Sequence, residues 1–211
     1  MNRRNHLLFV VGFVFTICFQ LFAQNILLPQ PQFENDMTLF QALQSRKSHR
    51  SFTDKELSPQ QLSGLLWAAN GVNRPENGKR TSPSAHNCRE IDIYVALQKG
   101  LYLYGADKHA LILVQKKDIR AETGKQKFAA TAPVNLIYVA DFGKMKGDDE
   151  TKQFYSATDT GFISQNVYLY CAAEGLGTVV RGWVDKEHLA GVMQLRPEQH
   201  VILAQTVGYI K

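Results

Sequence analysis

A short basic segment, residues 46–52 (Arg-Lys-Ser-His-Arg-Ser-Phe), combines three permanent cations, a histidine and two hydroxyl groups, and we call it the basic run. Such a composition is poorly suited to a protein core, because buried charges lose their hydration. It suits an oxyanion, since guanidinium groups bind phosphate in bidentate fashion and hydroxyls add neutral donors. Taken alone, the run is compatible with either an anion site or a solvated charged face.

Two later segments make the basic run more informative, namely residues 83–87 (Pro-Ser-Ala-His-Asn) and 175–178 (Gly-Leu-Gly-Thr), the second followed by Arg-Gly at 181–182. The last predicted strand ends on Gly-Tyr at 208–209. In this order and spacing, these motifs resemble the FMN-dependent nitroreductase family, over roughly residues 38–211. The short ending and the Ser-Ala-x-Asn loop resemble a compact branch, near the dehydrogenases that oxidise azoline rings in peptides.

The resemblance implies that FMN binds at the interface of a homodimer. Arg46, Ser48 and Arg50 would hold its 5′-phosphate, and Lys47 would lie near the flavin ring or the ribityl chain. Many family members continue past Gly-Tyr with a basic segment that reaches the phosphate, whereas this sequence ends at Lys211. We therefore expect Lys211 to supply that charge.

The resemblance also implies that the loop at residues 83–87 comes from the partner subunit. Pro83, Ser84, Ala85 and Asn87 would then touch the isoalloxazine ring. Many family members have serine at the position of Ala85, so one hydroxyl contact is expected to be lost.

Backbone donors for flavin N5 and O4 are implied at Val180, Arg181 and Gly182. Fixed donors and nearby cations tune the potential of a flavin, because its reduced form carries negative charge. Hydride moves through N5 without a protein nucleophile, so we assign no catalytic side chain. His86 is interpreted either as an acid over the flavin or as a loop histidine with local hydrogen bonds only.

Periodicity and capping signals place these motifs on a predicted pattern of helices and strands. Predicted helices start after Thr38 and Ser58, cover residues 149–174, and start again at Asp185. Predicted strands cover residues 91–97, 101–104, 110–114, 134–140 and 201–209. Residues 24–37 are interpreted as an N-terminal arm and residues 71–80 as a loop. The pattern predicts an α+β fold, with a nitroreductase-like mixed sheet flanked by helices in one domain over residues 38–211.

Residues 1–23 have the three parts of a secretory signal peptide. Arg3 and Arg4 precede an apolar stretch over residues 7–22, and Ala23 is a small residue at the cleavage point. We therefore expect an exported, periplasmic protein, with an uncleaved membrane anchor as the alternative, for which the stretch is short. The formal net charge of +5 includes two units from these arginines and is too mild to argue for nucleic-acid binding.

The predicted function is that of an exported FMN-dependent oxidoreductase that transfers hydride through flavin N5, with a natural substrate that the sequence leaves open. An oxidative dehydrogenase or oxidase acting on a small molecule or peptide is a second interpretation, and a non-catalytic flavin-binding module is a third. Because NAD(P)H is scarce outside the cytoplasm, a membrane quinol or a redox protein is a further candidate donor. No metal site is predicted, and whether Cys88 and Cys171 pair is left open.

Overall fold

A seven-stranded sheet forms the centre of the computed structural model, which describes residues 25–32 and 37–211. The strands are β1 (Ile26–Leu27), β2 (Val72–Arg74), β3 (Lys79–Arg80), β4 (Ile91–Leu97), β5 (Gly100–Gly105), β6 (Ala110–Gln115), β7 (Val134–Asp141), β8 (Leu176–Arg181) and β9 (Gln199–Tyr209). The main sheet has the order β1-β6-β5-β4-β7-β9-β8, and β2 pairs with β3 in a separate hairpin. This order makes β8 an edge strand, so one side of its backbone is open to contacts from outside the sheet.

Within the described residues, five α-helices accompany the sheet. They are α1 (Leu39–Ser45), α2 (Pro59–Asn70), α3 (Phe128–Thr131), α4 (Asp149–Ala173) and α5 (Lys186–Met193). Both predicted capping boxes are present, since the Thr38 and Ser58 side chains accept hydrogen bonds from backbone N–H groups three residues later. These caps satisfy amide groups that have no partner inside the helix, and they set where α1 and α2 begin.

The central strand β7 is buried along its whole length because helices cover both faces of the sheet. Leu136 and Tyr138 belong to the larger core, which α2 and α4 cover, whereas Ile137 and Val139 belong to a second core under Leu189 of α5. The alternation of side chains along one strand thus connects two apolar layers.

The predicted α+β class, the single domain and the principal helices and strands are confirmed. The expectation of a mixed sheet is wrong in its pairing, because every pair described in the main sheet is antiparallel. Residues 71–80 were expected to form only a loop, yet they contain the β2–β3 hairpin.

The strand β8 is a further difference, because no strand was predicted between the long helix and Asp185. That helix ends at Ala173, and Gly175 has a φ of +65°, a left-handed conformation that glycine adopts without strain. The strand β8 begins at Leu176 and contains three β-branched residues, Thr178, Val179 and Val180, which favour an extended backbone.

Part of the N-terminal arm is bound to the domain. Ile26 and Leu27 pair with β6, and the Pro29 carbonyl accepts a hydrogen bond from the Ser63 hydroxyl at 2.6 Å. The expected signal peptide lies outside the described residues. Within residues 25–32 and 37–211, no helix combines the length and apolarity needed to cross a membrane.

Candidate functional site

The basic run lies against β8 and the end of β9. The His49 N–H donates to the Thr178 carbonyl at 2.9 Å, and the Lys211 N–H donates to the Ser51 carbonyl at 3.3 Å. Gly177 permits this approach, because a Cβ at that position would lie 3.1 Å from the Cβ of His49. The basic run, the Gly-Leu-Gly-Thr motif and Lys211 therefore meet on one surface.

The apolar end of the basic run anchors it to the domain. Phe52 is buried and packs with Ala132 and Val179, and its ring centroid lies 5.4 Å from that of Phe128. Burial of one aromatic side chain stabilises such a contact by roughly 1.5–3 kcal/mol. The anchor holds the backbone of the run and leaves its charged side chains at the surface.

Tyr168 of α4 connects the basic run to β8, and the sequence analysis did not identify it. Its hydroxyl lies 2.8 Å from the Ser48 hydroxyl and accepts a hydrogen bond from the Val180 N–H at 3.1 Å. The Arg46 guanidinium carbon lies 5.3 Å from the centroid of the Tyr168 ring. Arg46 and Ser48 are half-buried, while Arg50 is exposed. One side chain thus touches three of the groups assigned to the cofactor.

Arg181 turns its side chain away from this surface and into the core. Its guanidinium donates to the Thr123 carbonyl at 2.7 Å and to the Asn135 side chain at 2.9 Å. Burial lowers the pKa of Arg181 to about 10. Its side chain is therefore committed to the core and is not available to a ligand. Gly182 is exposed, and a Cβ there would meet no atom nearer than Leu203 at 3.6 Å, so this glycine leaves free space above β8.

The loop at residues 83–87 rests on α4 and not on the basic run. The Ala85 N–H donates to the Asp159 carboxylate at 2.8 Å, and the Ser84 hydroxyl accepts a hydrogen bond from the backbone N–H of Arg89 at 3.1 Å. His86 and Asn87 are exposed and adopt left-handed φ values of 52° and 54°. Such values are uncommon for residues other than glycine, so the contact with Asp159 helps to hold a strained turn.

Asp159 and Tyr168 lie on opposite flanks of the buried stripe of α4. They are nine positions apart, which in an α-helix corresponds to a rise of about 13.5 Å and a rotation of about 180°. The loop is attached to one flank and the basic run to the other. Within one chain, the structure therefore gathers Arg46, Ser48, Val180 and the Lys211 backbone, but it does not add the loop residues to them.

A buried pair of carboxyl groups lies beneath the loop. The Glu90 side chain is fully buried, and neither of its carboxylate oxygens has a hydrogen-bond partner. Burial raises the pKa of Glu90 to about 7, and the Asp159 carboxylate acts in the same direction. A proton held on Glu90 removes one of two neighbouring negative charges and so reduces the cost of burying them.

Both cysteines of the described domain are free thiols. Cys171 is buried within α4, and Cys88 is half-buried beside the loop. Burial raises the pKa of both thiols. Neither thiol is therefore favoured as a thiolate nucleophile.

Comparisons with known proteins all point to one protein family. The model of the nitroreductase family matches residues 43–209. A candidate nitroreductase of Methanocaldococcus jannaschii, MJ1384, is 29% identical over 184 residues, which cover 82% of this chain and 91% of that protein. The crystal structure of a candidate nitroreductase from Ralstonia eutropha is 44% identical, with a TM-score of 0.84 over 89% of this chain and 90% of that one.

A more distant solved structure has the same fold. It is the NADPH:FMN oxidoreductase of Vibrio harveyi in complex with NAD+, with a TM-score of 0.63 and 16% identity, over 82% of this chain and 69% of that one. At this identity the similarity concerns the fold alone.

The Glu90→Gln variant should change how stability depends on pH. The pKa of Glu90 rises from 4.5 to about 7 on folding, so the native state binds the extra proton and wild-type stability falls as pH rises through that window. At pH values above about 7, the buried charge of Glu90 lowers the free energy of unfolding by up to about 3 kcal/mol. We expect the variant to exceed wild type in urea midpoint at about pH 8 and to match it near pH 4.5.

Urea unfolding at the two pH values measures this difference, with the exposed Glu56→Gln as the matched control. An equal change at both pH values would contradict the assignment of the proton to Glu90.

Proposed function

This chain belongs to the nitroreductase family, and on that premise we propose that it is an exported FMN-dependent oxidoreductase that transfers hydride through flavin N5 to or from a small molecule. The observation that carries the proposal is the meeting of the basic run with β8 and the C-terminal residue on one surface. A cluster of cations beside an exposed, open strand edge is suited to a ligand with an anionic end and a planar polar ring.

The anionic end of the ligand is assigned to the basic run. Arg46, Ser48 and Arg50 would bind the 5′-phosphate, with added charge from Lys211, and Lys47 would lie near the flavin ring or the ribityl chain. Their arrangement supports a single phosphate, since all five lie in one run or beside it. A pyrophosphate, as in FAD, would call for a Gly-x-Gly-x-x-Gly turn at a helix N-terminus, and the sequence contains none.

The ring end is assigned to the backbone of Val180, Arg181 and Gly182. The Val180 N–H already donates to Tyr168, and the alternation of the backbone in β8 turns the amide of Arg181 towards its β9 partner Ala204, so the amide of Gly182 is the better candidate for N5 or O4. The free space at Gly182 fits a flat ring lying close to the backbone. FMN, when bound, supplies the hydride chemistry, while these residues bind and orient it in a fixed polar environment.

We further propose that the active form is a homodimer. The loop carrying Pro83, Ser84, Ala85 and Asn87 lies on the opposite flank of α4 from the basic run, so a shared flavin site is more readily completed by a second chain. Large apolar side chains are also exposed on the two helices that pack together, namely Phe40 and Leu39 on α1 and Phe154 and Phe162 on α4. Such a surface is typical of a protein interface.

Light scattering on the flavin-loaded protein should report twice the chain mass at micromolar concentration. Replacing the exposed Phe40 with serine should weaken association and flavin retention together, because both depend on the same interface. A flavin-loaded monomer would contradict the two-chain site.

Flavin identification tests the central proposal. Denaturation of the purified protein, followed by chromatography, should release FMN with a flavin absorption spectrum. FAD, or no flavin after reconstitution with FMN, would overturn the proposal. The choice between reductive and oxidative turnover then follows from which donors bleach the bound flavin: NAD(P)H, a quinol, or a small organic substrate. A flavin that no donor bleaches would favour a non-catalytic binding module.

We also propose export directed by residues 1–23, supported by Arg3, Arg4 and the apolar stretch that follows. N-terminal sequencing of protein from the periplasmic fraction of a host should begin near Gln24. An intact Met1 in the cytoplasmic fraction would contradict export and would make NAD(P)H the natural donor.

A further inference from the structure

We infer that Tyr168 is a positioning residue of the phosphate site, which prepares Ser48 and Arg46 to bind a phosphate monoester dianion. This inference rests on the proposed function and names a residue that neither the motifs nor the comparisons single out. Tyr168 comes from α4, 120 positions after Ser48, and it joins the basic run to β8 by hydroxyl and ring contacts.

The hydrogen-bond directions at Tyr168 follow from the chemistry of its partners. An amide N–H can only donate, so the phenolic oxygen accepts from Val180 at 3.1 Å. The single phenolic proton is then free for the Ser48 oxygen, 2.8 Å away. A serine oxygen that accepts this proton keeps its own O–H for another acceptor. The chain of donors therefore runs from the β8 amide through Tyr168 to Ser48, and it ends with a hydroxyl proton available to an anion.

An anion at Ser48 reinforces this direction. Each hydrogen bond in such a chain polarises the next, so the terminal serine proton becomes a better donor to a negatively charged oxygen. The opposite direction, with Ser48 donating to Tyr168, would leave the serine oxygen facing the anion with lone pairs only. Tyr168 thus gives Ser48 the orientation that phosphate binding requires.

The ring of Tyr168 acts on Arg46 by a second route. The guanidinium carbon lies 5.3 Å from the ring centroid, within the range of a cation–π contact. An arginine that rests on an aromatic face has fewer side-chain conformers to lose on binding, and its N–H groups remain free for a bidentate contact. The hydroxyl of Tyr168 therefore positions Ser48 and its ring positions Arg46, and both of these residues would contact the same phosphate.

Two substitutions separate these contributions, and a tyrosine two positions away provides the control. Tyr168→Phe removes the hydroxyl and keeps the ring, whereas Tyr168→Leu removes both. Tyr170→Phe removes a hydroxyl on the same helix. That hydroxyl donates to the Gln61 carbonyl at 2.9 Å and lies away from the basic run. The dissociation constants of FMN and riboflavin, measured by fluorescence titration of the apoprotein, compare ligands that differ only in the phosphate.

We expect Tyr168→Phe to weaken FMN binding roughly fivefold, the effect of one neutral hydrogen bond, and riboflavin binding by less than about twofold. Tyr168→Leu should weaken FMN binding roughly threefold more, because the cation–π contact is also lost. Tyr170→Phe should leave the FMN-to-riboflavin ratio of dissociation constants unchanged, even where it lowers the melting temperature. Circular dichroism confirms that each variant folds.

The outcomes distinguish this inference from the proposed function. If wild type binds no flavin, or binds FMN and riboflavin equally, the proposed function or its phosphate assignment is wrong, and the inference falls with it. If wild type prefers FMN and Tyr168→Phe keeps the same preference, only the inference is overturned. Equal losses for both ligands in Tyr168→Phe would assign Tyr168 a purely structural role.

Discussion

The close approach of the basic run to β8 is the constraint on which the candidate site depends. Gly177 has no side chain to separate the two segments, and the His49 amide bonds directly to the Thr178 carbonyl. Phe52 holds the basic run in the same position, because its ring packs into the domain against Val179 of β8. Since backbone contacts and one buried aromatic ring hold the run, its cations need no internal ion pairs and can face a ligand.

The edge strand β8 separates structural from ligand-facing groups. Arg181 places its guanidinium in the core, where Thr123 and Asn135 satisfy it, so its conformation is set before any ligand binds. Val180 is fixed through Tyr168 on the open side of the strand. A strand held in this way would keep its remaining polar groups fixed when charge develops on a bound cofactor, which is how preorganised electrostatics favour a redox reaction.

The long helix α4 holds the two parts of the candidate site and also keeps them apart. Its two flanks hold the basic run through Tyr168 and the loop at residues 83–87 through Asp159, half a turn of rotation apart. The same helix exposes aromatic side chains to solvent in the single chain. Association of two chains would therefore cover an apolar surface and complete the site in one step, which would make catalysis depend on oligomerisation.

The sequence by itself determined the features that depend on neighbouring residues: the capping boxes at Thr38 and Ser58, the strand β7, and the concentration of cations in the basic run. Local hydrogen bonds and periodicity specify these. Only the tertiary structure decided that β8 follows Gly175, that Arg181 points into the core, and that Tyr168 meets Ser48 across 120 positions. Such contacts arise when distant segments pack together, and no local pattern encodes which side chain will fill the space between them.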